Sequence, residues 1–483
     1  MCFFAIAKHG YGHDINGEHK LGKEGFTMTT GRELVKRAFR REPVERVPWV
    51  PFVGAHGGVL VGATATEYLK SADLMVKGAA EAVRRYRPDG IPVMFDLQVE
   101  AEALGCKLAW ADDNPPAVIS HPLEEGRKLA DLKLPELTAG RIPVALEAAR
   151  QMRAAHPDLA LYGLITGPFT LALHLLGTNI FMKMFDDPEG LKELLAFCRD
   201  VGIRMADAYL DAGCDIVAIV DPMTSQIDPE SFQTFVSEPV GGIVDRIRER
   251  GGLSSIFVCG NAVHNIKVMC DCRPDNLSID ENIPLPHVRE LALANGVSFG
   301  GNLKLTVVLL LGTADDARRD AVDCLDAGDK TGFILAPGCD LAMATPPANL
   351  EAVAEIVHDP YRQDVVRATR STIGSGLTPA DLSNHGRADA VVVDLVTLDS
   401  ASCAPCQYMV EAVRAAAAVF GHKVVCHEHK VKQIDGLRVM LALGVHNIPT
   451  ICMDGEIVFV SIIPSRDKLI AAIRERLAKK LWP

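Results

Sequence analysis

The residues that could do chemistry fall into a few groups. Toward the carboxy terminus stands Cys403-Ala404-Pro405-Cys406. At the junction of a strand and a helix, a pair with this spacing makes a dithiol. Backbone N–H groups and the helix dipole stabilise a thiolate on the first cysteine, and the second lies one turn on, in reach of a mixed disulfide. Cys403 is then the nucleophile and Cys406 the resolving thiol. The rival use, half of a structural zinc site, needs a second Cys-x-x-Cys, which the sequence lacks. Upstream, Cys259 and Cys339 each follow a short apolar run. Polar residues follow other such runs: His56, Asp96 with Glu100 and Glu102, Asp221, Asp280 with Glu281, and Asn302 with Lys304. Two thiolates favour zinc, and a zinc with an open coordination position is catalytic. Two half-buried thiols without a metal are the plainer alternative.

Two other groups lose on geometry. Cys426-His427-Glu428-His429 lies in a run that reads as a strand. Neighbours on a strand face opposite ways, which separates the histidines from Cys426 and Glu428. Cys270-Asp271-Cys272 reads as a helix end and loop.

The elements that must position these residues alternate. Between 47 and 339, apolar runs at 47–52, 91–96, 160–166, 216–221, 254–260, 277–280, 297–303 and 332–339 are separated by longer stretches, several of helical periodicity, such as 189–210 and 240–250. Runs rich in Val, Ile and Phe suit parallel strands buried on both faces. Eight β–α alternations predict a (β/α)8 TIM barrel in the α/β class. An open doubly wound sheet would carry a glycine-rich phosphate turn after its first strand, and Gly54-Ala55-His56-Gly57-Gly58 imitates one poorly. In a barrel the carboxy-terminal strand ends form one mouth. His56, Asp96, Glu100, Asp221, Cys259, Asn302 and Cys339 are therefore expected to converge there.

The pattern stops near residue 369. Residues 371–387, rich in Ser, Gly, Pro and Thr, read as a linker. From 388 to 483 the order is strand (390–398), helix (401–420), strand (423–427), helix (436–443), strand (451–453), a turn at Asp454-Gly455, strand (457–463) and helix (466–477). That β-α-β-α-β-β-α order is thioredoxin topology, and residues 388–478 resemble small thioredoxins and glutaredoxins. The resemblance implies that Pro449 is a cis-proline whose backbone abuts the dithiol. Ser402 stands where that family usually has an aromatic residue. The barrel is expected at 28–370. Residues 1–27 have no periodicity and read as an extension or an upstream start.

Composition narrows the partners. With 62 acidic against 50 basic residues the net charge is −12, so nucleic acid is not an expected partner. The apolar stretch at 303–311 is too short for a membrane span and carries Lys304. Thirteen scattered cysteines without a secretory signal predict a reduced, cytoplasmic setting.

Residues 30–368 resemble the uroporphyrinogen decarboxylase superfamily. The matching phrases are Thr166-Gly167-Pro168-Phe169-Thr170, Asp187-Pro188-Glu189, Asp221-Pro222, Gly300-Gly301-Asn302-Leu303, and Pro337-Gly338-Cys339 followed by Thr345-Pro346 and Asn349. One branch of this superfamily decarboxylates a tetrapyrrole without metal and holds its eight carboxylates with an arginine-rich amino-terminal segment. Residues 50–58 contain no arginine, although Asp96 lies near that branch's pyrrole-binding aspartate. The other branch, the methylcobamide:thiol methyltransferases, is the better match. The resemblance implies zinc on Cys259 and Cys339 and a thiol activated as zinc thiolate. That branch's histidine, two residues before the first cysteine, is replaced by Phe257. Asp221, Glu100 and His56 are the candidates to complete the ligand set. No Asp-x-His-x-x-Gly corrinoid motif is present. The methylcobamide is thus expected free or on a partner corrinoid protein, with a small thiol as the other substrate. The expected function is corrinoid-dependent methyl transfer, with a dithiol unit that serves either the barrel or another protein. The alternatives are tetrapyrrole decarboxylation, or non-catalytic corrinoid or tetrapyrrole binding with a redox-sensing dithiol.

Overall fold

Seven parallel strands build the first sheet in simple sequential order: β1 (Gly90–Pro92), β2 (Ala160–Thr166), β3 (Ile216–Val220), β4 (Leu253–Val258), β5 (Asn276–Ile279), β6 (Ser298–Leu303) and β7 (Phe333–Pro337). This computed structural model describes residues 29–369, 379–382, 389–401, 404–445 and 448–481. The expected extension at 1–27, most of the 371–387 linker, and Cys403 lie outside the described residues.

The eighth predicted strand, at 47–52, is a correction. It forms only an isolated parallel bridge, Trp49 to Leu335. The reason is covalent: Pro48 and Pro51 have no N–H to give to a ladder. What remains still closes the sheet. The Leu335 N–H donates to Pro48 O (2.9 Å), the Val50 N–H to Leu335 O (2.9 Å) and the Asp89 N–H to Trp49 O (2.8 Å). The segment thus joins β7 to the residue before β1, and the curled sheet has the architecture of a TIM-type barrel.

The two faces of the strands separate by alternation. Along β2, Ala160, Tyr162 and Leu164 point inward, into a cluster with Phe52, Phe95, Val220 and Phe257. Leu161 and Ile165 point outward, under the surrounding helices. The helix Gly31–Phe39, capped by Thr30, brings Val35, Ala38 and Phe39 into the inner cluster. Arg32 and Lys36 on the same helix reach Asp215 at 2.7 and 2.8 Å.

The carboxy-terminal unit is a four-stranded sheet in the order β9-β8-β10-β11: β8 (Val391–Thr397), β9 (Val424–Lys430), β10 (Thr450–Met453) and β11 (Glu456–Val460). β8 and β9 are parallel, and the other pairs are antiparallel. Helices Ala404–Ala417, Ile434–Ala442 and Arg466–Leu481 complete it. This is a thioredoxin domain. On β9 the Glu428 carboxylate accepts from Thr397 Oγ1 (2.8 Å), while His429 meets Asp394 (2.8 Å). The two side chains face apart, as alternation requires.

Trp49 is fully buried, and its indole N–H donates to Tyr86 O at 3.2 Å. Trp49→Ala is expected to lower barrel stability by about 3–5 kcal/mol, the usual cost of emptying a large buried aromatic site. Urea unfolding measures this, and a variant as stable as the parent would show that the closing segment carries no load.

Candidate active site

Asp221 shows how the strand ends are used. It directly follows β3 and receives the Phe169 and Thr170 N–H groups (3.0 and 2.8 Å) and Thr170 Oγ1 (2.6 Å) from the start of helix Pro168–Leu176. A helix start is a natural seat for a carboxylate. Gly167 permits the approach, because a Cβ there would lie 2.3 Å from Asp221 Cβ. Burial pushes this carboxyl up to about 6, against the three donors that lower it. Glu100 is held similarly, by Thr166 N–H (3.2 Å) and Thr166 Oγ1 (2.8 Å), and burial raises its carboxyl as well.

His56 opens the short helix His56–Leu60 instead of ending a strand, and is fully buried. Its Nδ1 meets Met343 O (3.1 Å) and its Nε2 meets the Tyr86 hydroxyl (2.8 Å). A carbonyl only accepts, so the proton sits on Nδ1 and Nε2 accepts from tyrosine. Burial lowers the ring to about 4, so it is neutral near pH 7. Asn302 donates to Asp280 O (3.2 Å) and Ile283 O (2.7 Å). These four residues were expected to meet substrate. They do not line the cavity at the mouth, and their polar atoms are spent on neighbouring backbone and side chains.

Asp96, Cys259 and Cys339 do line it. Asp96 is bound by the buried Arg141 at 2.5 Å, and Arg141 also reaches Glu102 at 2.8 Å. Cys259 follows β4 and Cys339 follows β7. Their sulfurs are joined as a disulfide, with Cα atoms 6.0 Å apart. Beneath them Phe257 is fully buried against Phe52 and Phe95, with ring centroids 4.9 and 5.5 Å away. Its ring fills the place where a third ligand on this strand would stand. The end of β5 packs against the residue after Cys259 and the residue before Cys339. Asp280 accepts from the Gly260 N–H at 2.8 Å, and a Cβ at Gly338 would lie 2.5 Å from Glu281 N.

The cavity measures about 190 Å³. Cys406, Pro405 and Pro449 of the thioredoxin domain line it too, and the Ile448–Pro449 peptide is cis. Cys406 is buried and disulfide-bonded. Sequence reasoning passed over three other lining residues: His174, Thr306 and Ser461 carry buried side-chain polar atoms without a hydrogen-bond partner among the described residues. No motif marks them, and only the fold brings them together. An unmet polar atom in a cavity is one that a ligand can satisfy.

Zinc can be tested on the donor set. Joined sulfurs are not thiolates, Phe257 supplies no ligand, and no group of three or more His, Cys, Asp or Glu is placed to hold a metal among the described residues. The oxidised pair does not fit zinc.

Residues 30–360 match the family described as uroporphyrinogen decarboxylase (URO-D), and residues 393–474 match a thioredoxin domain. The chain belongs to the uroporphyrinogen decarboxylase family and is an enzyme of that superfamily. Methylcobamide:CoM methyltransferase MtbA of Methanosarcina mazei is 31% identical over 340 residues, covering 68% of this chain and 98% of that protein. MtbA of Methanosarcina acetivorans is 30% identical over 337 residues, with the same coverage of 68% and 98%. Among solved structures, a methyltransferase from Methanosarcina mazei superposes with a TM-score of 0.63 at 26% identity, covering 70% of this chain and 99% of its own.

Burial, with Asp280 beside it, raises the Glu281 carboxyl from 4.5 to about 8. The folded chain therefore holds this proton more tightly than the unfolded chain. The stability it contributes is complete below pH 4.5 and is lost as pH rises through about 8. Glu281→Gln cannot ionise and is expected to flatten the decline in Tm across that window. Thermal unfolding of both proteins at several pH values checks this, and parallel profiles would refute the raised carboxyl.

Proposed function

We propose that the barrel transfers a methyl group between a methylated corrinoid and a small thiol, the corrinoid arriving free or on a second protein. The reading is carried by the 30–31% identity to MtbA proteins over nearly their full length. The meeting of two cysteine sulfurs at the barrel mouth supports it. In the forward direction the thiol loses its proton, a sulfur–carbon bond forms and the cobalt–carbon bond breaks. The chain's part is to seat the thiol and exclude water. The unmet polar atoms of His174 and Thr306 are the groups that would orient it. Zinc belongs to this reading only with Cys259 and Cys339 reduced.

The lining favours methyl transfer over decarboxylation of a carboxylate-rich tetrapyrrole. Among the described residues it holds four acids, Asp96, Asp280, Glu281 and Asp340, and one cation, Lys432, with no arginine. That cation is already engaged, with Asn114 at 2.5 Å and Asp399 at 3.7 Å.

The test is anaerobic incubation of the fully reduced chain with methylcobalamin and a panel of small thiols, including 2-mercaptoethanesulfonate. The expected result is demethylated cobalamin and S-methylated thiol in equal amounts. Cys259→Ala and Cys339→Ala should each slow this by on the order of 100-fold, a barrier increase of about 2.7 kcal/mol. Absence of thioether with every thiol would overturn the reading.

A further inference from the structure

The structure describes eleven of the thirteen cysteines, and they divide sharply. Cys259, Cys339 and Cys406 are in disulfides, and all three line one cavity. The other eight are free thiols, and none of them lines it. Burial pushes each of those eight thiols up, which keeps them protonated and unreactive. The cavity therefore gathers the oxidised sulfurs of two separate units. Cys259 and Cys339 come from the ends of β4 and β7. Cys406, with Pro405 and Pro449, comes from the thioredoxin domain.

Specific contacts hold the units in this register. The Gln226 side chain donates to Ser461 O (3.1 Å) and accepts from the Ile463 N–H (2.9 Å), so one barrel amide pairs with the backbone just after β11. Its neighbour Ser225 lies against Gly260, where a Cβ would be 3.0 Å from Ser225 Oγ. The clasp thus sits beside the loop that follows Cys259. Tyr408, two residues past Cys406, is buried and belongs to the same hydrophobic cluster as the residues that pack under the barrel helices. Lys432 of the thioredoxin domain donates to Asn114 of the barrel at 2.5 Å.

We propose that the two units are a dithiol–disulfide exchange pair: the Cys403/Cys406 dithiol reduces the Cys259–Cys339 disulfide across the shared cavity. Cys403 enters from the sequence motif, as the partner of Cys406. An external small dithiol first reduces the Cys403–Cys406 disulfide. The Cys403 thiolate then attacks one sulfur of the barrel pair, giving a mixed disulfide and one barrel thiolate. Cys406, losing its proton, attacks Cys403. The Cys403–Cys406 disulfide reforms, and the second barrel sulfur leaves. Two electrons and two protons pass to Cys259 and Cys339, and the external dithiol ends as its own disulfide. If the methyl-transfer reading holds, this exchange switches the mouth between a closed disulfide and two usable thiols.

The test uses the oxidised full-length chain, a limiting amount of dithiothreitol, acid quench, alkylation and peptide mass spectrometry. It reads thiol occupancy and not methyl transfer, so the two readings can fail separately. The oxidised chain is expected to show the Cys259–Cys339 link. Cys403→Ser should slow opening of that link by tenfold or more at equal dithiothreitol. Cys406→Ser should accumulate a mixed disulfide between Cys403 and Cys259 or Cys339. Equal opening rates in the parent and in Cys403→Ser would overturn the proposal. So would an oxidised chain without the barrel link, or a Cys406→Ser chain without the mixed disulfide. Circular dichroism that matches the parent qualifies each variant, and Cys403→Ala replaces a serine variant that does not fold.

Discussion

The curl of the parallel sheet governs everything at the mouth. Strands β4 and β7 are three positions apart in sheet order, a separation of about 14 Å in a flat sheet. The residues that follow them, Cys259 and Cys339, have Cα atoms 6.0 Å apart. Only a closed, tilted sheet brings those ends together. Closure in turn depends on the 48–50 segment, which offers hydrogen bonds in both directions despite its flanking prolines. The same curl packs Phe52, Phe95 and Phe257 on one another inside the barrel and leaves the sulfurs above them at the rim.

Much of this was legible in the sequence, because parallel strands buried on both faces leave continuous Val/Ile/Phe runs. Seven of the eight runs contain strands of the sheet, and the exception failed for a reason visible in its own residues, Pro48 and Pro51. The site was harder to read. Position at a strand end marks a residue for the mouth but does not say which way its side chain turns. Asp221 turns to a helix start, and the signal was present in Gly167-Pro168-Phe169-Thr170: a glycine for close approach, a proline at the first helical position, and free N–H groups after it. His56 turns into the wall because it opens a short helix past the expected strand at 47–52. His174 and Thr306 could not be found from sequence, since a histidine or threonine in a helical stretch looks the same whether or not its polar atoms find a partner.

Burial also acts on the acids of the mouth. Four acids line the cavity, but desolvation raises the carboxyls of Asp280, Glu281 and Asp340. Asp96 is paired with Arg141. A composition count suggests an acidic cleft, whereas in the folded chain desolvation works against ionisation of three of its four acids. Under the proposed reading, a lining with few cations and several unmet polar atoms suits a small thiol better than a substrate bearing many carboxylates.

The thioredoxin domain raises a question of access. It forms part of the cavity wall, beside the sulfurs that a methyl donor would approach under the proposed reading. A corrinoid is far larger than a cavity of about 190 Å³. Under the proposed reading, docking of the corrinoid and docking of the dithiol domain compete for one opening. The contacts that fix the domain suit such alternation. They are an amide clasp at Gln226 and a lysine at Asn114, with Tyr408 as an apolar anchor. Contacts of this polar kind resemble those between domains that move relative to one another. Exchange of electrons and transfer of a methyl group would then be successive uses of the same mouth, separated by departure of the domain once the barrel sulfurs are free.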